Sequence, residues 1–154
     1  MTESTLQLIS SLKLLLVVGF ATLYGLGGMS GKWKRRFIAP VLYVAGICGF
    51  SLWTGSFSYW FLLCAPLLFG SLSLGYGAST TVEKIKKRAI CGAANACATL
   101  PIFAVTGAWT LFPVHLLVCV LVSVVAGTWN QTSSARAEET LIGASYSLIP
   151  LFII

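Results

Sequence analysis

Long apolar stretches and short polar breaks alternate along the chain, and the breaks themselves alternate between charged and uncharged. Apolar runs occupy 10–29, 37–53, 57–76, 89–109, 112–129 and 140–154. A helix needs about 20 apolar residues, with a working range of ~17–25, to cross the hydrocarbon core of a bilayer. The first five runs meet that range, while the last holds fifteen residues and reads as a short span or a half-inserted helix. Lys32, Lys34, Arg35 and Arg36 separate the first run from the second, and Lys84, Lys86, Lys87 and Arg88 the third from the fourth. Arg136, with Glu138 and Glu139, separates the fifth from the sixth. The connections at 54–56 and 110–111 carry no charge and are tight.

Composition changes this from a pattern into a class. The chain is 57% hydrophobic and 9% charged, with a mean hydropathy of +0.90. A soluble domain carries about 25% charged residues, and a chain this apolar could not cover itself with polar surface in water. The expected fold is an all-α membrane protein with one transmembrane domain over 1–154, made of six short transmembrane helices. The first run is expected to be a retained span, because Glu3 precedes it and no small-residue cleavage site follows 14–24.

All the bases except Lys13 fall in alternate connections, so the positive-inside rule makes those three connections cytoplasmic and puts both termini outside. A bacterial inner membrane is the expected location. Trp53, Tyr59, Trp60 and Trp109 fall at the outer ends of the runs and Trp33 and Trp129 at the inner ends, as interfacial anchors do. The net charge of +6 then faces the cytoplasm. Such a collar attracts anionic lipid head groups. No nucleic-acid partner is expected, since the basic clusters lack interleaved aromatics.

The charged clusters also recur at a fixed spacing. A shift of 52 residues places Lys32, Lys34, Arg36 and Ile38 on Lys84, Lys86, Arg88 and Ile90, and Tyr24–Gly25 on Tyr76–Gly77. A shift of 51 then places Lys87–Arg88 on Glu138–Glu139. The expectation is three helical-hairpin repeats, at about 10–53, 57–109 and 112–154, with charged cytoplasmic loops and packed as a pseudo-threefold ring or bundle. Topology explains the basic loops but not Glu138 and Glu139. The expected answer is a cytoplasmic charge cluster of Arg35, Arg36, Lys87, Arg88, Glu138 and Glu139 that pins the third hairpin to the others; the rival is that the two carboxylates line a pathway.

Polar residues within the runs are few. Asn95 sits in "GAANACAT" beside Gly92 and Ala96, a small-xxx-small pattern that lets helices approach closely, as does Ser71-xxx-Gly75. Ser71, Ser73, Asn95 and Thr99 are candidate pore-lining or helix-packing residues. Pro66 and Pro101 are expected to bend their spans. His115, near the outer start of the fifth run, reads as a solvated or hydrogen-bonded side chain, with pH sensing as the alternative. The five cysteines are odd in number and lack metal-site spacing, so they read as apolar packing residues. One histidine and four acids leave little for a general acid–base pair, so no enzyme, catalytic residue, cofactor or metal is expected.

"SLGYG" at 73–77, "KIKKR" at 84–88, "GTWN…ARAEETLIG" between 127 and 143 and the closing "IPLFI" resemble small uncharacterised integral membrane proteins encoded in bacteriophage genomes. The resemblance implies a viral protein in the host inner membrane or virion, and brings no activity and no site residues. The leading functional expectation is a pore or transport-type protein, with a homo-oligomer possible. The alternatives are a scaffold recruiting a protein partner or anionic lipid through its basic face, and a holin-like permeabiliser. The orientation is testable with reporters. Cytoplasm-dependent fluorescence is expected from fusions after Ser30, Ser79 and Thr132, and export-dependent phosphatase activity from fusions after Gly55 and Thr110; the opposite pattern would invert the topology.

Overall fold

A computed structural model describes residues 3–28, 33–72, 81–129 and 135–154. These residues are helical almost throughout and contain no strand. In chain order the helices are α1 (Glu3–Gly28), α2 (Trp33–Thr54), α3 (Cys64–Leu72), α4 (Thr81–Ala98), α5 (Leu100–Thr106), α6 (Phe112–Trp129) and α7 (Ala135–Ile153). Short 3-10 turns at Tyr59–Leu63 and Trp109–Leu111 lead into α3 and α6.

The connection at 54–56 turns on a glycine, and the second turn comes at another glycine, earlier than the expected 110–111, which belong to the 3-10 turn Trp109–Leu111. Gly55 has φ +74° and Gly107 φ +70°, the left-handed conformation that a Cβ penalises and glycine adopts freely. Proline sets a third break. Pro101 cannot donate the hydrogen bond that would continue α4, so the helix stops at Ala98 and restarts at Leu100. Thr99 bridges the gap, its N–H donating to the Ala96 carbonyl (3.1 Å) and its own carbonyl accepting from Ile102 (2.9 Å). Pro66 lies in the first turn of α3, where a missing N–H is tolerated, and Pro40 and Pro150 lie inside α2 and α7.

The charged stretches depart from expectation. They are not loops: Lys34–Arg36, Glu83–Arg88 and Arg136–Glu139 all lie within the opening turns of α2, α4 and α7. A helix N-terminus favours acids and disfavours bases by about 0.3–1 kcal/mol per charge. Glu83, Glu138 and Glu139 suit that position electrostatically, and the bases of α2 and α4 do not.

Each helix packs against the next around a closed circuit, from α1 through α2, α3, α4, α6 and α7 back to α1. The most extensive contacts are α1 with α7 and α4 with α6, each joining two of the expected hairpins rather than the arms of one. α5 turns inward to meet α7 and the 3-10 turn before α3. Side chains fill the centre. Tyr43 and Tyr146 meet edge to face with ring centroids 5.1 Å apart, the Tyr43 hydroxyl donates to the Tyr146 carbonyl (3.5 Å), and Ile47, Phe61, Leu68, Ile102 and Leu151 close around them, all buried.

The outer surface is apolar. Leu15, Val18, Leu52, Leu67, Ile90, Leu117, Leu121, Val125, Leu141 and Phe152 are exposed, spread over α1, α2, α3, α4, α6 and α7. Among the described residues, Val82–Thr106 and Trp109–Ala126 are each long and apolar enough to cross a membrane, and Thr5–Gly19, Pro40–Thr54, Tyr59–Ser71 and Thr140–Ile153 form shorter apolar helices.

The α4–α6 contact depends on one missing methyl. A Cβ on Gly92 would lie 2.6 Å from the Cys119 carbonyl oxygen and 2.8 Å from the Val120 Cα, and backbone has no rotamer by which to move aside. Gly92→Ala is expected to cost about 1–3 kcal/mol through overpacking, read from unfolding in mixed micelles. Gly49→Ala, where nothing lies within 4 Å, is expected to leave stability unchanged or raise it by up to ~1 kcal/mol through helix propensity. Equal behaviour of the two variants would refute the close approach.

Candidate functional site

The polar side chains gather into two separate networks, both anchored on α4. The first joins α4 to α3. Ser71 donates to Asn95 Oδ1, the Asn95 amide points at Cys91 Sγ (4.0 Å), and the Cys91 thiol donates to the Ser71 carbonyl (3.6 Å). These contacts form a ring between the two helices. Asn95 is 1% exposed and Ser71 3%, so the ring replaces water that neither side chain can reach.

The second network joins the α4–α5 break to α6. Thr99 donates its hydroxyl proton to the Ala96 carbonyl (2.7 Å), so its oxygen serves as acceptor for the nearby ring nitrogen, His115 Nε2, at 3.0 Å. That proton count assigns the N–H to Nε2 and leaves Nδ1 as an acceptor. Cys119, one turn along α6, holds its sulfur 3.7–3.8 Å from the ring nitrogens. Phe103 packs on the imidazole with centroids 5.2 Å apart. Thr99 and His115 are both 0% exposed. The expectation for His115 is a solvated or hydrogen-bonded side chain, and it is the hydrogen-bonded form, buried, that the structure holds. A third polar link runs nearby, from Ser123 Oγ to the Arg88 carbonyl (2.8 Å).

Of the residues singled out from the sequence, Ser71 and Asn95 are brought together, while Thr99 turns to a different helix. Ser73 and the side chains of Arg35, Arg36, Glu138 and Glu139 lie outside the described residues. Lys87 and Arg88 are half-buried at the start of α4, beside exposed Glu83, Lys84 and Lys86. His115 and Cys91 were the residues that sequence reasoning did not join to this set. His115 and Cys119 are four apart on one helix, which places them on one face, but nothing in the sequence pairs Thr99 with a residue sixteen positions away.

The chemistry available is limited. No group of three or more His, Cys, Asp or Glu side chains able to hold a metal occurs among the described residues. The Cys119–His115 pair resembles a thiol–imidazole couple, but both are closed to solvent. No protein-family model, no curated protein and no solved structure matches the chain.

If the networks are separate, their energies are separable. Thr99→Val and His115→Phe together are expected to show a coupling of about 0.5–1.5 kcal/mol, the net worth of one hydrogen bond. Ser71→Ala with Thr99→Val is expected to be additive within about 0.5 kcal/mol. Strong coupling in the second pair would mean one polar axis rather than two helix contacts.

Proposed function

We propose that this is a non-catalytic integral membrane protein that acts as a scaffold, presenting a basic cytoplasmic face to anionic lipid or an acidic protein partner. The observation that carries the reading is the inverted polarity of the bundle. Large apolar side chains are exposed on helix after helix, whereas Ser71, Asn95, Thr99, His115 and Ser123 are buried and paired. An exposed apolar band of that extent is stable only against lipid or a partner.

All six apolar stretches are read as spans. At 1.5 Å per residue, the 26, 22 and 19 residues of α1, α2 and α7 give helices of roughly 39, 33 and 28 Å, against a hydrocarbon core of ~30 Å. α7 is the short one: with Arg136, Glu138 and Glu139 at head-group level, Thr140–Ile153 leaves about 21 Å, which crosses in a locally thinned bilayer or inserts part-way. Both termini lie outside, and the bases of α2 and α4 form the cytoplasmic collar. Each base near an anionic surface contributes about 1 kcal/mol. Arg35, Arg36, Lys87, Arg88, Glu138 and Glu139 belong to this collar, where the acids reduce its charge and pair with the bases. The phage resemblance extends the reading to a host inner membrane or virion.

The pore or transport-type reading stands second. Its support is the α4–α5 break, since discontinuous helices mark the sites of many transporters. A conducting axis, however, requires Ser71, Asn95 and Thr99 to converge, and the geometry instead gives each a partner at a helix contact.

The test has two arms. The protein is expected to float with vesicles after alkaline carbonate treatment, and to be electrically silent in planar bilayers under varied voltage, pH and anionic lipid. Currents altered by Asn95→Leu would replace the scaffold with a pore. Lysis on induced expression would instead identify a permeabiliser of holin type.

A further inference from the structure

At the end of the bundle opposite the basic collar, α1, the last turns of α2 and the end of α7 enclose a groove of about 480 Å³. That volume falls within the ~300–1,000 Å³ typical of ligand sites. Leu6, Ile9, Phe50 and Trp53 give it apolar walls, and Thr5, Lys13 and Thr54 supply its polar groups. Lys13 is the only base of the chain outside the three cytoplasmic clusters, and the groove holds it in place. Its ammonium donates to the Phe152 carbonyl (3.3 Å) and lies 5.3 Å from the centroid of the Phe50 ring.

Both partners are uncharged. A carbonyl and an aromatic face orient a cation but do not neutralise it, and a charge at a membrane boundary is costly unless solvated or paired. The ammonium has three donors, and the carbonyl occupies one. Ile154 completes the lining on the α7 side. The groove therefore offers a fixed cation that no acidic side chain neutralises among the described residues, with apolar walls around it, level with the interfacial Trp53.

We infer that this groove is a head-group site for an anionic phospholipid of the outer leaflet. Its phosphate sits on Lys13 and its first methylenes lie against Leu6, Ile9, Phe50 and Trp53. The inference rests on the membrane reading above and differs from the cytoplasmic collar in leaflet and in kind. The collar is a diffuse field of exposed bases, whereas this is a single cation in a shaped recess.

The test is native mass spectrometry of the full-length protein in detergent with equal phosphatidylglycerol and phosphatidylcholine. Wild type is expected to retain phosphatidylglycerol preferentially. Lys13→Gln should weaken that retention about fivefold, the equivalent of ~1 kcal/mol for one base near an anionic lipid. Lys13→Arg should preserve it, and Lys84→Gln with Lys86→Gln should leave the most tightly held lipid in place. Trp53→Leu probes the wall without touching the cation and should also reduce retention, which keeps the test decisive if Lys13→Gln fails to fold. Equal retention of the two lipids, retention unchanged in both Lys13→Gln and Trp53→Leu, or a second copy of the chain in place of lipid would each overturn the site. Failure to float after carbonate treatment would sink the membrane reading itself, a result separable from loss of the lipid site alone.

Discussion

The contact of α4 with α6 organises the bundle, and it exists because Gly92 has no side chain. With the Cβ position of Gly92 inside van der Waals range of the Cys119 and Val120 backbone, the two helices lie close enough for short side chains to bond across. Arg88 then meets Ser123 and Thr99 meets His115, so that moving up α4 means moving down α6. Separating the helices by the thickness of a methyl group would break both bonds and leave a buried imidazole and hydroxyl without partners, each costing about 1–3 kcal/mol.

That approach also fixes where the rest of the polar interior can go. With one face of α4 committed to α6, Asn95 turns to α3 and closes its ring with Ser71 and Cys91. The α4–α5 break follows the same logic. Pro101 interrupts the backbone ladder, and Thr99 at the gap uses its side chain to tie the junction to α6. Once these groups are satisfied locally, the central space is left to Tyr43, Tyr146 and the aliphatic residues around them, and the surface is left to leucine, valine and the interfacial aromatics. A bundle with paired polar groups inside and apolar groups outside is matched to a lipid surround.

Much of this was legible in the chain. The alternation of apolar runs and charged breaks gave the helical class and a tight turn at 54–56, while the second turn fell at Gly107 rather than at 110–111, and Pro101, expected to bend its span, interrupts the helix. The small residues around Asn95 marked a close helix contact, and Gly92 proved to be its tightest point. The charged clusters were misjudged as loops, because hydropathy marks where a membrane can begin but not where a helix does; Lys34–Arg36 and Glu83–Arg88 are polar and helical at once. The heaviest packing fell between the expected hairpins, where sequence adjacency carries no weight.

What the sequence by itself determined is whatever depends on residues a few positions apart: the apolar lengths, the alternation of charged and uncharged breaks, and the proline interruption of a helix. These follow from transfer energy and local backbone geometry, which are properties of short segments. The tertiary structure alone decided that Thr99 bonds His115, that Asn95 closes a ring with Ser71 and Cys91, and that Lys13 lies over Phe50 beside the Phe152 carbonyl. Each of these joins residues distant along the chain, and which distant residues meet is set by how closely helices can approach, a quantity that appears only when their surfaces are packed together.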